Sequence, residues 1–431
     1  MKKFTKIFTS VLIVLCLIPL SSCFIRDWFG GGKETLTVWC AGQDKEMITK
    51  MVDNFIKAKK PKVEKINVLV VEDDKTGLML RSFYEGNNES NFSAEELTDL
   101  TNKKPATAGD VICMPHDQLG ALVSKNYVSK ITDDTHITDI NKNTAPSVGA
   151  GKIGGVQYGF PSSFETHMLF YDTSIVTSGK EETLEGILSC VVPGGGFPFA
   201  MNFGDAYFSA NWFFTYGCKL FGDSGEDASF CDFDSQNGID AMTYVINNNE
   251  HFLNLYWIEE TKKSATDQAI ELFEAHKLGA YISGPWDANA ITDALTFNYG
   301  CAKLPAVEGK AMKSFAGYKL YCVNEKSKDK NTSMDLAAWL TNTENQKTRF
   351  NKRSLIPVSS SLANDPSVVN SGKTAKALLE QGPYAIAMPS IPEIADFWKY
   401  TGPFTADCYN GLITTGQLPA KLGELAALIK K

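Results

Sequence analysis

The sequence predicts an α/β protein with two domains or one large two-lobed domain, and two observations lead to this fold class. The chain has 431 residues, too many for one small domain, and 43% of them are hydrophobic, which is enough to build real cores. Between residues 35 and 123, short β-forming runs alternate with amphipathic helical runs, as they do in parallel βα units. Large aromatic residues then recur along the rest of the chain, several of them in loop-like contexts.

Residues 1–22 are typical of a lipoprotein signal peptide. A basic start is followed by an apolar run from Ile7 through Leu20, which is too short to cross a bilayer comfortably. Small residues then precede Cys23, which we expect to be lipidated as the first mature residue; an ordinary signal peptide with an incidental cysteine is the alternative. Residues 23–34 would form a flexible tether. We therefore predict an extracytoplasmic bacterial protein, on the cell surface or in the periplasm, that reaches the membrane only through its N-terminal lipid.

The early strands and helices follow from the spacing of their apolar residues. The apolar positions of Glu46–Lys57 recur with a helical period, whereas the neighbouring β-forming runs are short and continuous. Ligands bind beyond the carboxyl ends of strands in open parallel sheets, which selects the loops at 39–44 and 114–117 as candidate sites. The polar, turn-rich residues 84–108 predict a loose helix and loop. The expected strands are Thr35–Cys40, Ile66–Val71, Asp110–Met114 and Gly279–Ile282, and a second helix is expected from Gln118.

Charge and arginine content argue against several kinds of partner and site. The formal net charge is −8, so the chain has no basic surplus to offer a nucleic-acid backbone. Lysine dominates the cations, and the only arginines are Arg26, Arg81, Arg349 and Arg353. A clamp of paired arginine forks for phosphates or carboxylates is therefore hard to build.

The cysteines predict neither a metal site nor a redox centre, and no cofactor is expected. None of the eight that remain beyond Cys23 lies in a CxxC pair, which leaves zinc binding and thioredoxin-like chemistry with little support. Cys218 and Cys231 flank a polar stretch that we expect to be a hairpin tip. They are the best candidates for a disulfide, a bond that exported proteins commonly form.

Two tryptophans and a tyrosine lie where an exposed ring could stack on a ligand. Trp286 follows Gly284-Pro285 just past an apolar, strand-like run, and Trp398 lies in a polar context. Tyr207 begins a segment that is dense in aromatic residues. Core packing is the ordinary role of any single aromatic residue, so the surrounding sequence has to decide between the two roles.

Six motifs occur in an order that carries a family resemblance. They are Leu36-Thr37-Val38-Trp39; Gly109-Asp110-Val111-Ile112 with His116-Asp117; Phe160-Pro161 with Glu165 and Phe170-Tyr171-Asp172; Asp205-Ala206-Tyr207-Phe208; Ser283-Gly284-Pro285-Trp286; and Met388-Pro389 through Trp398. Together they resemble the extracellular solute-binding proteins of ABC importers, and most of all the maltose/maltodextrin-binding group. The motif that ends in Trp286 is the most specific match.

This resemblance implies a periplasmic-binding-protein-like fold of the class II type. Two α/β lobes would be joined by crossover strands that act as a hinge, with the ligand in the cleft between them. The N-terminal lobe would take residues 35–162 plus 318–362, and the C-terminal lobe residues 165–316 plus 363–431. The protein, a monomer, would close around an oligosaccharide or other small sugar and deliver it to the importer's permease subunits. It would carry out no catalysis.

The resemblance also assigns the binding residues. A pyranose has an apolar C–H face that stacks on aromatic rings and a rim of hydroxyls that pair with carboxylates and amides. For Trp39, packing in the lobe wall is the alternative to ligand contact. Met114, before the loop of Asp117, is a further candidate contact. The expected platforms are Tyr207, Trp286 and Trp398, the expected acceptors are Asp117, Glu165 and Asp205, and Trp39, Asp44 and Lys45 of the first loop are also candidates.

Three positions depart from the maltodextrin pattern. Met114 stands where that group carries a stacking tryptophan, Gln118 where it carries an arginine, and Lys399 where a tyrosine is expected. One aromatic platform is thereby lost and the contacts to the sugar rim are changed. A different or shorter oligosaccharide is therefore as consistent with the sequence as maltodextrin.

Two other classes stay open at this point. A polyamine or other cationic ligand suits the same fold, because aromatic rings and three carboxylates also make a cage for ammonium groups. Its affinity would collapse with salt. A secreted glycosidase also uses paired carboxylates and aromatic platforms. Against it, the acids lie on loops that the resemblance assigns to different lobes, and no nucleophile–base pair with a histidine stands out.

Overall fold

The computed structural model describes residues 34–363 and 365–431. The predicted signal peptide at residues 1–22, the lipidated Cys23 and the tether up to residue 33 lie outside the described residues. Within the described ranges, no helix combines the length and the apolar character needed to cross a bilayer.

Strands and helices alternate through most of the chain. In chain order the strands are β1 (Thr35–Cys40), β2 (Lys65–Val70), β3 (Val111–Pro115), β4 (Lys152–Ile153), β5 (Val156–Gln157), β6 (Gly159–Glu165), β7 (Met168–Asp172), β8 (Phe197–Met201), β9 (Phe252–Asn254), β10 (Leu278–Ser283), β11 (Tyr299–Ala302), β12 (Ser314–Val323), β13 (Ile356–Pro357) and β14 (Ala385–Ala387).

The α-helices of the described residues fill the connections between these strands. In chain order they are α1 (Lys45–Lys59), α2 (Thr76–Glu85), α3 (Ala94–Lys103), α4 (Leu119–Ser124), α5 (Asp134–Ile140), α6 (Ala145–Ala150), α7 (Leu184–Leu188), α8 (Ala206–Thr215), α9 (Gln236–Asn248), α10 (Ala265–Glu274), α11 (Ala288–Ala294), α12 (Lys330–Leu340), α13 (Thr343–Arg353), α14 (Pro366–Val369), α15 (Lys373–Gln381), α16 (Ile394–Tyr409) and α17 (Leu418–Ile429).

Two large sheets divide the strands between two lobes. The first sheet has the strand order β13-β6-β12-β3-β1-β2, with β14 paired to β12, and it forms the centre of the first lobe. The second has the order β11-β7-β10-β8-β9 and forms the centre of the second lobe. The strands of the predicted βα units, β1, β2 and β3, pair in parallel, whereas β12 returns antiparallel to β3 and β6.

The sequence patterns place the early elements to within two residues. β1 has the predicted bounds, and the strands expected at 66–71, 110–114 and 279–282 correspond to β2, β3 and β10. The helix α1 forms because its apolar side chains recur on one face, which it buries against the first sheet. The buried residues of α1 are Met47, Ile48, Met51, Val52 and Phe55.

The segment at 84–108 is better ordered than the predicted loose helix and loop. It contains α3, whose first turn is closed by a capping box in which Ser93 and Glu96 bind each other's backbone N–H groups. Glu96 also pairs with Arg81 of α2, at 3.2 Å between Nη1 and Oε1. The polar residues of this segment therefore belong to a capped helix on the surface, α3, where a loose helix and loop were expected.

Two crossover segments are tied together where the chain passes between the sheets. One leads from β6, which ends at Glu165, into β7; the other leads from β11 into β12. The Thr166 hydroxyl, in the first segment, donates to the Phe315 carbonyl at 2.7 Å and lies 2.8 Å from the Ser314 hydroxyl in the second. All of these atoms are buried. The crossovers thus form the floor of the cleft between the lobes.

The predicted lobe ranges stay predictions, and one strand complicates them. β14 falls in the range 363–431, which was assigned to the C-terminal lobe. It pairs in parallel with the first residues of β12, at the edge of the first sheet. The chain therefore returns to the first lobe's sheet immediately before α16.

The predicted disulfide between Cys218 and Cys231 is wrong, because both residues are buried free thiols. The expected hairpin is present, but Leu220 and not Cys218 pairs with Cys231 across it. Cys218 Sγ instead lies 4.0 Å from the Ser235 hydroxyl. Burial raises the pKa of each thiol to about 12, so both stay protonated and unreactive at neutral pH.

Gln346 is a buried amide that joins α13 to the segment that follows β13. Its oxygen accepts from the N–H groups of Val358 and Ser359 at 2.9 and 2.8 Å, and its nitrogen donates to Asn143 and to the Thr341 carbonyl, both at 2.8 Å. Every hydrogen-bonding position of the amide is used, which fixes the helix that carries Arg349 and Arg353 into the cleft.

We expect Gln346→Leu to lower the free energy of unfolding by about 2–5 kcal/mol, because it strands several buried polar partners at once. Urea unfolding followed by circular dichroism measures this loss. Gln236→Leu, at an exposed position at the start of α9, is the control and should change stability by about 0.5 kcal/mol or less. Equal losses for the two variants would contradict the assignment.

Candidate ligand-binding cleft

The cleft between the lobes is lined by rings and by charged side chains. At its floor lies a cavity to which the strands β6 and β12 and the helix α13 contribute. Its lining residues are Gln43, Asp44, Asp73, Cys113, Ser162, Ser163, Glu165, Trp286, Lys319, Arg349, Arg353 and Leu355. Asp44, Glu165 and Trp286, three of the residues predicted from sequence, are thus brought together here.

Three aromatic residues from the second lobe form one side of the cleft, which we call the aromatic platform: Tyr207, Trp286 and Trp398. The ring of Tyr207 lies 6.1 Å from that of Trp286 and 6.4 Å from that of Trp398, measured between centroids. All three side chains are only partly buried. They come from α8, from the loop after β10 and from α16, so the fold assembles them from distant parts of the chain.

Local backbone structure sets the position of each ring. Asp205 caps α8 by accepting the N–H of Tyr207 at 2.9 Å, which starts the helix with the tyrosine in its first turn. Trp286 folds back over Gly284, where a Cβ atom would lie 2.2 Å from the indole carbons. The glycine of the Gly-Pro-Trp motif is therefore needed for the ring to lie against the backbone.

His167 supports the platform from below, a role the sequence did not indicate. This buried residue follows the first crossover, and its ring stacks on Phe208 and lies 4.5 Å from the ring of Tyr207. Its Nδ1 is 3.1 Å from the Asn211 amide oxygen. Burial lowers the pKa of His167 to about 3, so the ring is neutral and acts as an aromatic support.

Lys319 is the central cation of the cleft, and sequence reasoning missed it. It lies on β12, and its ammonium pairs with Asp73 at 2.9 Å and with Glu165 at 3.1 Å. Burial by itself would lower the pKa of Lys319, but the two carboxylates outweigh it and hold that pKa well above its usual value. A lone lysine inside the apolar strand Ser314–Val323 was the signal that could have found it.

Two arginines reach the cleft, although the low arginine content of the chain makes a clamp of paired arginine forks hard to build. Two of the four arginines, Arg349 and Arg353, lie one turn apart on α13, and both line the cleft cavity. Arg353 Nε donates to Asp44 Oδ1 at 2.8 Å, and Arg349 Nη2 donates to the Tyr321 hydroxyl at 3.1 Å. The composition gives only the number of arginines. The four-residue spacing of Arg349 and Arg353 on α13 brings both side chains to one face of the helix.

Asp117 faces the aromatic platform from the first lobe. Burial raises the pKa of its carboxyl to about 6, while Lys319 and the side chain of Trp398 favour the charged form. One of its oxygens, Oδ1, has no hydrogen-bond partner among the described residues, and the same holds for the buried hydroxyl of Tyr207. Unpaired buried polar atoms on both walls of a cleft suit a ligand that carries hydroxyl groups.

The other two predicted acceptors, Glu165 and Asp205, also have raised pKa values. Burial raises the pKa of Glu165, which Lys319 opposes, and burial also raises the pKa of Asp205. Asp74 of the first lobe adds to the rise in the pKa of Asp205. Of these two acceptors, Glu165 lines the cleft cavity, and Asp205 caps the helix that carries Tyr207.

Three of the predicted ligand contacts need correction. Trp39 is fully buried in the core of the first lobe, where its indole N–H donates to the Thr107 carbonyl at 3.2 Å. Met114 is equally buried and lies opposite Leu320 in the sheet. Lys45 is an exposed residue in the first turn of α1 and does not line the cavity. Side chains alternate between the two faces of a strand. About half of the residues near the end of a strand therefore point away from a site at that end, as Trp39 and Met114 do.

A cleft between two α/β lobes, closed at its floor by crossover strands and lined by rings and ion pairs, defines a two-lobed binding protein. Residues 85–377 match the model of the bacterial extracellular solute-binding proteins. The chain belongs to this family, which acts outside the cytoplasm. The fold class and the family resemblance predicted from the sequence are thereby confirmed.

Several similar proteins are named for the oligosaccharides that they bind. The galactooligosaccharide-binding protein of Bacillus subtilis (strain 168) is 31% identical over 345 residues, which are 76% of this chain and 77% of the relative. A maltooligosaccharide ABC transporter solute-binding lipoprotein of Streptococcus pneumoniae is 26% identical over 321 residues, 70% of this chain and 72% of the relative. The maltodextrin-binding protein of L. casei BL23, solved without ligand, has a TM-score of 0.73 at 23% identity and covers 93% of this chain and 99% of its own. This structural likeness supports the fold alone.

The raised pKa of Asp117 predicts a cost in stability that grows with pH. The pKa of Asp117 is about 6 in the folded protein and near 3.8 in the unfolded chain. The contribution of this carboxyl to the free energy of unfolding is therefore largest below pH 3.8, and it is lost as the pH rises through 6. Asp117→Asn removes that titration. We expect the variant to gain about 1–3 kcal/mol over the natural protein between pH 4 and pH 7, measured by urea unfolding at each pH.

Asp53→Asn is the matched control, because Asp53 is an exposed carboxylate on α1. The difference in stability between this control and the natural protein should stay flat over the same pH range. A flat difference for Asp117→Asn as well would show that Asp117 is solvated and does not face a dry cleft.

Proposed function

We propose that this chain is the sugar-binding lipoprotein of an ABC importer. It captures a neutral oligosaccharide in the cleft, closes by a hinge motion of the two lobes and presents the sugar to the permease subunits. The aromatic platform beside Asp117 carries this proposal, because it offers both things that a pyranose needs. Stacking rings take the C–H face, and the carboxylate of Asp117, whose Oδ1 has no partner among the described residues, takes part of the hydroxyl rim.

The charge balance of the cleft favours a neutral ligand over a polyamine. Asp44, Asp73 and Glu165 line the cavity, and each already has a cationic partner in Arg353 or Lys319. A polycation would have to displace these partners and would meet their charges at close range. A sugar can use the same side chains without disturbing the pairs, since hydroxyl groups accept from cations and donate to carboxylates.

The relatives suggest which oligosaccharides to try first. The 31% identical relative is named for galactooligosaccharides, and the next ones for maltooligosaccharides and maltodextrin. Met114 is buried in the first lobe and leaves no ring at that position to stack on a maltodextrin unit, so this position gives no reason to prefer maltodextrin over a galacto-oligosaccharide. We therefore propose a galacto- or malto-oligosaccharide as the ligand.

Tethering and delivery are the further parts of the proposal. Lipidation of Cys23 would hold the mature chain at the outer face of the membrane, close to the permease. The lobes would take the ranges predicted from the sequence, except that β14 joins the first sheet. We also propose that the protein has no catalytic activity. A glycosidase is the weaker alternative, since the carboxylates closest to the cavity floor are held in ion pairs with Lys319 and Arg353.

A thermal-shift panel on the chain from residue 24 onward tests the ligand class. The panel holds galacto-, malto-, xylo- and cello-oligosaccharides, monosaccharides, and putrescine and spermidine. We expect one sugar series to raise the melting temperature, because a ligand present at about 100 times its Kd stabilises the folded state by about 2.7 kcal/mol. A shift with polyamines alone would overturn the sugar assignment.

Trp286→Ala should weaken sugar binding by about 1–3 kcal/mol, the value of a central aromatic anchor. Isothermal titration calorimetry measures the affinity, and thermal unfolding without sugar measures stability. Trp286→Phe is the matched control, because it keeps an aromatic face over Gly284 and should retain most of the affinity. A lower melting temperature with unchanged affinity would mean that Trp286 belongs to the core.

Salt separates the neutral from the cationic ligand independently of structure. Ion pairs with a ligand are screened by added salt, whereas stacking and hydroxyl contacts are not. We expect the sugar affinity to change by no more than about twofold between 50 and 500 mM NaCl. A loss of tenfold or more over that range would indicate that charge pairing dominates, as it does for polyamines.

A further inference from the structure

Tyr256 and Trp257 are exposed aromatic neighbours outside the aromatic platform. They are 53% and 54% exposed, on the loop 256–263 between β9 and α10. The indole N–H of Trp257 donates to Glu259 Oε2 at 2.7 Å, which fixes the indole relative to its own loop. Two adjacent exposed rings form a contiguous apolar patch, the kind of surface that marks a binding site.

The strand order puts this pair on the same edge as the aromatic platform. β10, β8 and β9 are neighbours in the second sheet and run parallel, so their carboxyl ends lie on one edge. β10 leads to Trp286, β8 leads to Tyr207, and β9 leads to Tyr256 and Trp257. Three successive loops along one edge therefore each present aromatic side chains.

Hydrogen bonds tie the loop after β9 to the loops that hold the platform. Asn254 Oδ1 accepts the N–H of Phe203 at 2.8 Å, at the start of the loop that carries Tyr207. Thr266, at the beginning of α10, donates to the carboxylate of Asp287 at 2.6 Å, one residue after Trp286. Gln268 of α10 in turn donates to the Tyr256 carbonyl at 2.5 Å. The pair is thus anchored to the same framework.

The first lobe offers a further surface beside the cleft. Glu72 and Asp74 of this surface flank Asp73, which lines the cleft cavity and pairs with Lys319. Lys103 borders a cavity of about 390 Å³, which we call the outer groove. Its lining residues are Val70, Val71, Glu72, Asp74, Lys75, Met79 and Lys103.

We propose that Tyr256, Trp257 and the outer groove form an additional sugar subsite, which holds the distal unit of an oligosaccharide whose inner units lie on the aromatic platform. The inference rests on the proposed sugar-binding function and adds a preference for longer chains. The rings supply stacking surface, and the lysines and acids of the outer groove supply partners for the hydroxyl rim. Val70, which is 40% exposed, adds apolar surface to the groove.

The test compares chain lengths by isothermal titration calorimetry. The probes are the di-, tri- and tetrasaccharides of the β-1,4-galacto-oligosaccharide and malto-oligosaccharide series. We expect the natural protein to bind the tetrasaccharide of its preferred series about tenfold more tightly than the disaccharide, the value of one further stacking contact. The double variant Tyr256→Ala/Trp257→Ala should lose this gain and bind the disaccharide as before.

Two further variants separate the possible outcomes. Phe230→Ala, at another exposed aromatic residue that lines neither cavity, should leave the chain-length preference intact. Trp286→Ala should weaken all chain lengths alike. Equal affinity of the natural protein for short and long chains, or a uniform loss in the double variant, would overturn the outer subsite alone. Absence of binding to every sugar would overturn the proposed function itself.

Discussion

The buried ion pairs of Lys319 are the constraint around which the cleft is built. The lysine lies on β12, and its two partners lie on the loop after β2 and on the crossover strand β6. A buried ammonium is tolerated only with close opposite charges, so these three segments have to stay in register. The same pairs leave the floor of the cleft with little net charge, which decides what kind of molecule it can accept.

The first lobe was largely predictable because its signals are local. Sequence patterns gave the bounds of β1 and placed α1 to within two residues, and the rule about the carboxyl ends of strands led to Asp44 and Asp117. Polar composition was less informative at 84–108, where the capping box of Ser93 and Glu96 turns a weak pattern into the helix α3. Local periodicity and capping act within one or two turns, which is why sequence alone reveals them.

The residues that sequence reasoning missed or misplaced depend on long-range packing. Arg349 and Arg353 reach the cleft because α13 presents one face to it, and the four hydrogen bonds of Gln346 hold that helix in place. Trp39 and Met114 were expected to face the ligand, but the pleat of their strands turns both side chains into the core. A pattern near the right loop does not specify which face a side chain takes.

The position of Trp286 in the cleft also makes the intrinsic tryptophan fluorescence of the protein sensitive to ligand binding. The chain has seven tryptophans, and two of them, Trp286 and Trp398, lie partly exposed beside the ring of Tyr207. Trp39 and Trp212 are shielded from solvent and supply a steady background of emission. Occupancy of the cleft would therefore change the colour and intensity of intrinsic fluorescence, so the unlabelled protein could serve as a sensor for its own ligand.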